Sequence, residues 1–467
     1  MKQKTSIQQK LHSDIDNKKV FKKAFKYGYK NLINIFNRNV YPTNTAIKNL
    51  NIFDENMPSE PTDAVSVIDI LNTYGAPATV ATLGGRYFGF VSGSSVPVGL
   101  AAKNLATFWD QAPAMHVLSP IGSKLESVVE YWLKELFNLP KKTVAGFVSG
   151  TSSANFCALA AARYRCLYNL GWNVNEKGLF GAPKIRIVTG KHTHSTILKA
   201  ITLVGFGTEI IEWVDVDEQG RILPDLIPEL DNSTILILQA GNVNSGSFDD
   251  FETICKKANK AGAWVHIDGA FGLWAAAVSK LNYLTKGIEK ANSWAVDGHK
   301  TLNTPYDSGV LLCNDPEATT AALHMAGSYI VTSEERDGMF YTPEMSRRAR
   351  VIEFWAILKN LGKTGIDEMI LGMHERAIQF SKEINEIEGF QVLNDVVFNQ
   401  VLVCCATDEL TLKTMTKIQE LRECWVGSSV WHNKKVIRVS ICSWATDIND
   451  ISRSVRSFKQ ALNESIS

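Results

Sequence analysis

Two short apolar runs, residues 264–267 and 293–296, constrain this chain more than any other feature. Each has the length and residue types of a buried strand. The first ends on Asp268, followed by the small residues Gly269 and Ala270. The second runs through Asp297-Gly298-His299 to Lys300, 32 residues beyond Asp268. That separation leaves room for one helix between the strands. In an open α/β sheet, ligands bind at the carboxyl ends of the strands, so the acid and the lysine are expected to face one crevice.

The same pattern continues on both sides. Strands are expected at residues 144–148, 184–188 and 234–238, separated by helical segments such as the alanine-rich 156–170. Alternation of strand and helix from about residue 144 to 313 is the pattern of a mainly parallel sheet covered on both faces. Around this core, three units are expected. Residues 1–75 form an N-terminal helical arm and connection, 76–325 a large α/β domain, and 326–467 a loop and a smaller α+β domain. The last unit should hold a helix around Phe354–Leu361, a longer one over 366–387, strands at 398–405, 425–431 and 436–443, and a final helix after Asp447. In the arm, Phe21, Phe25, Tyr29, Leu32, Ile33 and Phe36 recur at helical spacing among lysines. An amphipathic helix of that kind reads as a docking arm, with a partner subunit as its cover.

Composition excludes several classes. A net charge of +1 gives no field for nucleic acid. Without a long apolar run, no membrane partner is expected, and the basic N-terminus has no apolar core of a secretory signal. Eight cysteines are scattered without a CxxC pair, which points to a reducing compartment, with a cytoplasmic location expected. His192 and His194 have no third clustered ligand, so no metal site is expected.

The lysine and the acid together suggest a chemistry. A lysine amine condenses with an aldehyde cofactor to give a Schiff base. A carboxylate facing the ring nitrogen of pyridoxal 5′-phosphate keeps that nitrogen protonated, so the ring accepts electrons from a breaking bond. The turn Ser149-Gly150-Thr151-Ser152, between strand and helix, leaves free amides at a positive helix end, which suits a phosphate or an ordinary helix cap. His194 opens another helix, where it can cap or stack on a planar ligand.

Taken in order, these segments resemble the group II pyridoxal-phosphate-dependent amino-acid decarboxylases, among them the glutamate, aromatic-amino-acid and tyrosine decarboxylases. The landmarks are Arg86-Tyr87-Phe88-Gly89-Phe90, Ser149 to Asn155, His194-Ser195, Ala240-Gly241-Asn242, His266 to Ala270, Asp297 to Lys300 and Ser346-Arg347-Arg348. The resemblance implies the fold-type-I architecture, a seven-stranded-type sheet, pyridoxal 5′-phosphate as cofactor, an amino-acid substrate, and a homodimer with shared active sites. It implies that Lys300 carries the Schiff base, Asp268 pairs with the pyridinium and His194 stacks on the ring. Gly150, Thr151 and Ser152 bind the phosphate with His299 beside them, and Asn242 lies near the ring oxygen or the substrate carboxylate. Arg438 resembles a strand arginine that holds the substrate carboxylate in related folds. Arg347 and Arg348 read as structural ion pairs.

The chain departs from the family in two places. Asp297 stands where animal aromatic members have asparagine. The loop tyrosines Tyr329 and Tyr341 both miss the usual distance from the arginine pair, with Tyr341 the candidate proton donor. The expected reaction is decarboxylation of an L-amino acid to its amine and carbon dioxide. Transamination, carbon–carbon lysis and a catalytically silent homologue are the alternatives.

Overall fold

In a computed structural model of the chain, the structure describes residues 6–323, 332 and 334–466. Tyr329 and the first residues of the loop expected to open the 326–467 unit lie outside the described residues.

Seven strands form the main sheet: β1 (Val144–Val148), β2 (Arg186–Gly190), β3 (Ile211–Val214), β4 (Thr234–Gln239), β5 (Trp264–Asp268), β6 (Ser293–Asp297) and β7 (Gly309–Cys313). Their order is β1-β7-β6-β5-β4-β2-β3. Only β7 runs against its neighbours, β1 and β6; the other pairings are parallel. The alternation of strand side chains divides the core in two. Leu236, Leu238, Val265, Ile267, Trp294 and Val296 enter one apolar cluster, while Ile235, Ile237, Trp264 and Ala295 enter another on the opposite face. Both sets are apolar because helices cover both faces. The second face also carries His266 and Asp268, and it is covered by the helix Thr151–Asn169.

The expected helix between β5 and β6 is absent. Three short 3₁₀ turns, Gly272–Ala277, Asn282–Thr285 and Ile288–Lys290, make the connection. Parallel neighbours need a crossover, and here buried Leu273, Trp274, Leu281 and Ile288 supply the apolar cover that a helix face would give. Strand β3, at the sheet edge, has only four residues, and the charged Glu212 interrupts its apolar run.

The C-terminal unit has a four-stranded antiparallel sheet in the order β10-β11-β9-β8, from β8 (Gln391–Val392), β9 (Gln400–Cys404), β10 (Gly427–Trp431) and β11 (Lys434–Ser440). The helices Asp408–Leu421 and Ile448–Ile466 pack with it through Ile418, Ile437, Val439 and Phe458. The two helices expected after residue 351 occur as one segment, Val351–Asn385, broken at Gly362, whose φ of +60° favours glycine.

Arg86 ties the units together. It is buried, with Nη1 2.7 Å from Glu423 Oε1 and Nε 3.2 Å from Asp450 Oδ1, and Nη2 donates to the carbonyls of Phe36 and Arg38. Next to it, Phe88 N donates to Trp425 O and Ser440 N donates to Phe88 O. Residues 86–88 thus hydrogen-bond to the C-terminal unit although they precede the main sheet. Arg347 likewise pairs with buried Glu126, and Arg348 with Asp307 and Glu353.

Candidate active site

The carboxyl ends of β1, β5 and β6 open on one cavity of about 480 Å³. Its walls include Gly150, Thr151, Ser152, His194, Asp268, Asp297, His299, Lys300 and Arg438, with Phe90, Val243 and Phe271 as apolar surface. The register explains the meeting: Asp268 pairs with Ala295 on β6, and Asp297 is two residues further in the same direction. Arg438 reaches the cavity from β11 and donates to Val243 O at 3.2 Å.

Lys300 is fixed through its backbone. Its carbonyl accepts from the backbone N and the Nδ2 of Asn303, at 2.9 and 2.7 Å. Asn303 Nδ2 also reaches Cys442 O, and its Oδ1 accepts from Ser94 N and Trp444 N. Asn303 has a φ of +58°, a conformation asparagine tolerates better than most residues. This fully buried residue therefore fastens the lysine turn to two other segments. No sequence signal singled it out beyond its position three residues after the lysine.

At the Lys300 side chain, Nζ lies 3.1 Å from Asp297 Oδ2. Burial works to lower the amine, but the Asp297 and Asp268 carboxylates outweigh it and hold Lys300 above its ordinary value. Asp297 Oδ1 accepts from Thr151 N at 2.6 Å, at the first turn of the helix Thr151–Asn169. His299 lies beside Asp297, its Nε2 3.6 Å from Oδ2, and its Nδ1 accepts from Ser308 N. Burial holds His299 below the usual imidazole value. Gly309 is required here, because a β-carbon on it would collide with the Gly150 backbone.

Behind Asp268 lies a chain of neutral hydrogen bonds. Trp264 Nε1 donates to Ser293 Oγ, which lies 2.9 Å from His266 Nδ1. His266 Nε2 is 2.9 Å from Asn155 Oδ1, and Asn155 Nδ2 donates to Asp268 Oδ2 at 3.4 Å. Asn155 Nδ2 can only donate, so its Oδ1 accepts from His266 Nε2, which leaves Nδ1 of the neutral ring to accept from the Ser293 hydroxyl; the protons thus point toward the carboxylate. Burial lowers His266 to about 3, so its ring is neutral, and its Nε2 carries the proton. Asp268 Oδ1 accepts from Ala270 N. Burial pushes the Asp268 carboxyl up, opposed by His194 and Lys300. A protonated ring nitrogen would give this buried acid a hydrogen-bonded cation. His194 is set by its helix: Nδ1 accepts from Thr196 N, as an N-cap, and burial lowers its titration.

Two expected residues lie elsewhere. Asn242 is absent from the cavity wall, although its neighbours Gly241 and Val243 are in it. Its Oδ1 caps its own turn, accepting from Asn244 N and Ser245 N, which turns the side chain away from the cavity. Tyr341 also stands outside the cavity wall. The Arg336 guanidinium lies 4.1 Å from its ring centre and is held in turn by Glu126 and Glu130. All eight cysteines are buried and unpaired. Among the described residues, no group of three His, Cys, Asp or Glu side chains could hold a metal ion, and no helix is long and apolar enough to cross a membrane.

The donor set fits pyridoxal 5′-phosphate: a lysine amine, a buried acid at the depth of a ring, and a glycine-bounded helix N-terminus for the phosphate. Comparison with known proteins agrees. The family described as the pyridoxal-dependent decarboxylase conserved domain matches residues 49–406. A tyrosine decarboxylase of Petroselinum crispum is 23% identical over 434 residues, covering 86% of this chain and 84% of that protein. An aromatic-L-amino-acid decarboxylase of Bacillus atrophaeus is 26% identical over 352 residues, covering 73% and 70%. Among solved structures, an Oryza sativa TDC with PLP and tryptamine shares the fold at a TM-score of 0.88 and 19% identity, with all of both chains covered. The chain belongs to the pyridoxal-dependent decarboxylase family and is a pyridoxal-phosphate-dependent carboxy-lyase.

Proposed function

We propose that this enzyme removes the α-carboxylate of an L-amino acid to release the corresponding amine. The observation that carries the reading is the convergence of Lys300, Asp268, His194 and Arg438 on one cavity. When bound, pyridoxal phosphate supplies a ring that accepts the electrons of the broken bond. Lys300 Nζ would hold the cofactor and could serve as a base or acid within the cavity. Asp268 would hold a proton on the ring nitrogen, with the neutral chain from Trp264 to Asn155 keeping that carboxylate oriented, and His194 would pack against the ring. Arg438 is the cation available for a substrate carboxylate, and Phe90 and Phe271 offer apolar surface to the side chain.

A screen of the L-amino acids, following carbon dioxide, amine and keto acid together, tests the reading. Amine and carbon dioxide in equal amounts from one group of substrates is the expected result. Keto acid as the main product would instead make the protein an aminotransferase.

The same proposal includes a homodimer. Phe21, Phe25, Tyr29 and Ile33 of the arm remain 42–61% exposed on the single chain. Each such side chain gains about 1.5–3 kcal/mol on full burial, which a second subunit would provide. Deletion of residues 1–40 should yield monomer or aggregate in a sedimentation experiment; a stable, active dimer would count against the arm.

A further inference from the structure

We infer that Asp297 is an internal occupant of the phosphate cradle, so that capture of the phosphorylated cofactor is coupled to uptake of a proton by this carboxyl group. The inference rests on the cofactor reading above. An amide at the helix start, facing the cavity, already has an acceptor. Thr151 N, at the positive end of a 19-residue helix, donates to Asp297 Oδ1 at 2.6 Å. The second oxygen, Oδ2, lies 3.1 Å from the one lysine of the site. A phosphate monoester is a dianion above its second ionisation, about pH 6. Bringing it to Thr151 sets two anions against one amide and one lysine.

The carboxylate has no exit. Asp297 is 2% exposed. Its backbone is clamped on both sides: its N donates to Ala270 O at 2.9 Å, and its O accepts from Trp274 Nε1 at 2.8 Å. It is also the last β6 residue in register with β7, opposite Gly309. With the backbone fixed and its two oxygens on Thr151 N and Lys300 Nζ, the side chain faces the cradle, and a proton on it would relieve the repulsion. The charged and titratable groups around it do not replace that proton. Lys300 on its own turn is 3.1 Å away, Arg438 on β11 lines the same cavity but donates to Val243 O, and Asp268 on β5 adds a further negative charge. Burial keeps His299 and His194 toward their neutral forms, and Tyr306 and Cys442 are also held protonated by burial. A proton on Asp297 leaves Lys300 free to face the phosphate and converts a competitor into a hydrogen-bond donor. The sign follows from linkage: the complex binds more protons than the free protein, so affinity for the phosphate falls as pH rises.

The test uses full-length protein freed of cofactor and 4′-deoxypyridoxine 5′-phosphate, which lacks the aldehyde and so leaves the Lys300 chemistry out. Calorimetric titration at pH 8 in two buffers of different ionisation enthalpy counts the protons exchanged. The wild type should take up about one proton more than Asp297→Asn, and its affinity should weaken by about tenfold per pH unit between about pH 7 and 9 relative to that variant. Pyridoxine, which has the ring but no phosphate, should show no such difference. Equal proton counts in the two proteins, or the same difference with pyridoxine, would overturn the inference. If Asp297→Asn does not fold, a pH-independent affinity of the wild type for the phosphorylated analogue overturns it alone. Failure of the phosphorylated analogue to bind either protein would remove the cofactor reading, and this inference with it; binding to both without the proton difference removes only the inference.

Discussion

At one end of the cavity, Asp268 meets the carboxamide of Asn155 and the amide of Ala270, with neutral His266, Ser293 and Trp264 behind. At the other end, Asp297 meets Lys300, His299 and the helix amide of Thr151. Both ends hold a buried carboxyl group, yet they are stabilised differently. The ring end is a completed hydrogen-bond chain with one place left for a cation. The phosphate end is an ion pair that must be rearranged when an anion arrives. Neutral chains fix geometry because each donor has a single acceptor, whereas charges at close range exchange partners readily. On the readings proposed above, the Asp268 end would fix where the ring lies, and the Asp297 end would couple cofactor capture to a proton.

The sharpest way to break this contrast is Asp268→Asn. Its neutral carboxamide has one acceptor oxygen, so it keeps the bond from Asn155 or the bond from Ala270 but not both, and it cannot hold a proton on the ring nitrogen. Turnover should fall by about 10²–10³-fold while the cofactor remains bound. Near-normal turnover would reduce Asp268 to a turn residue.

Gly309→Ala probes the opposite end. The added methyl meets the Gly150 backbone and should displace the turn carrying Thr151. Overpacking of this sort costs about 1–3 kcal/mol, read by urea unfolding, and should weaken retention of the phosphorylated cofactor. Unaltered stability and retention would show that the turn can yield.

The third test is pH. His266 titrates near 6.5 when unfolded and at about 3 in the fold, because burial disfavours its charged form. Between those values the unfolded chain binds the extra proton, so stability is fully present above about 6.5 and is lost as pH falls. The loss should be about 1.4 kcal/mol per pH unit from this one group. His266→Gln should flatten that slope in unfolding measurements from about pH 6.5 to 4; an unchanged slope would place the titration elsewhere.

Local sequence carried much of the architecture. Strands β1, β4, β5 and β6 were legible because short apolar runs bounded by turn residues have few other uses, and Asp268 and Lys300 were legible because they follow such runs. The kink at Gly362 was legible too, as a gap between two helical patterns. The connection from β5 to β6 was not, since 3₁₀ turns leave no periodic signal comparable to a helix. Asn242 and Tyr341 were placed at the site through resemblance, and both are held away from it by nearby partners: the former by its own turn, the latter by Arg336.

The sequence by itself determined which strand ends bear an acid and a lysine, because period and turn chemistry act over a few residues. Only the tertiary structure decided what those groups meet. Asn155 and His266 are 111 residues apart, and Thr151 and Asp297 are 146 apart. Sheet order brings them within hydrogen-bond distance, and that order is fixed by burial of both faces at once. Asp297 shows the division plainly: its presence is a matter of sequence, but its hold on the Thr151 amide exists only because β6 ends beside the helix that follows β1.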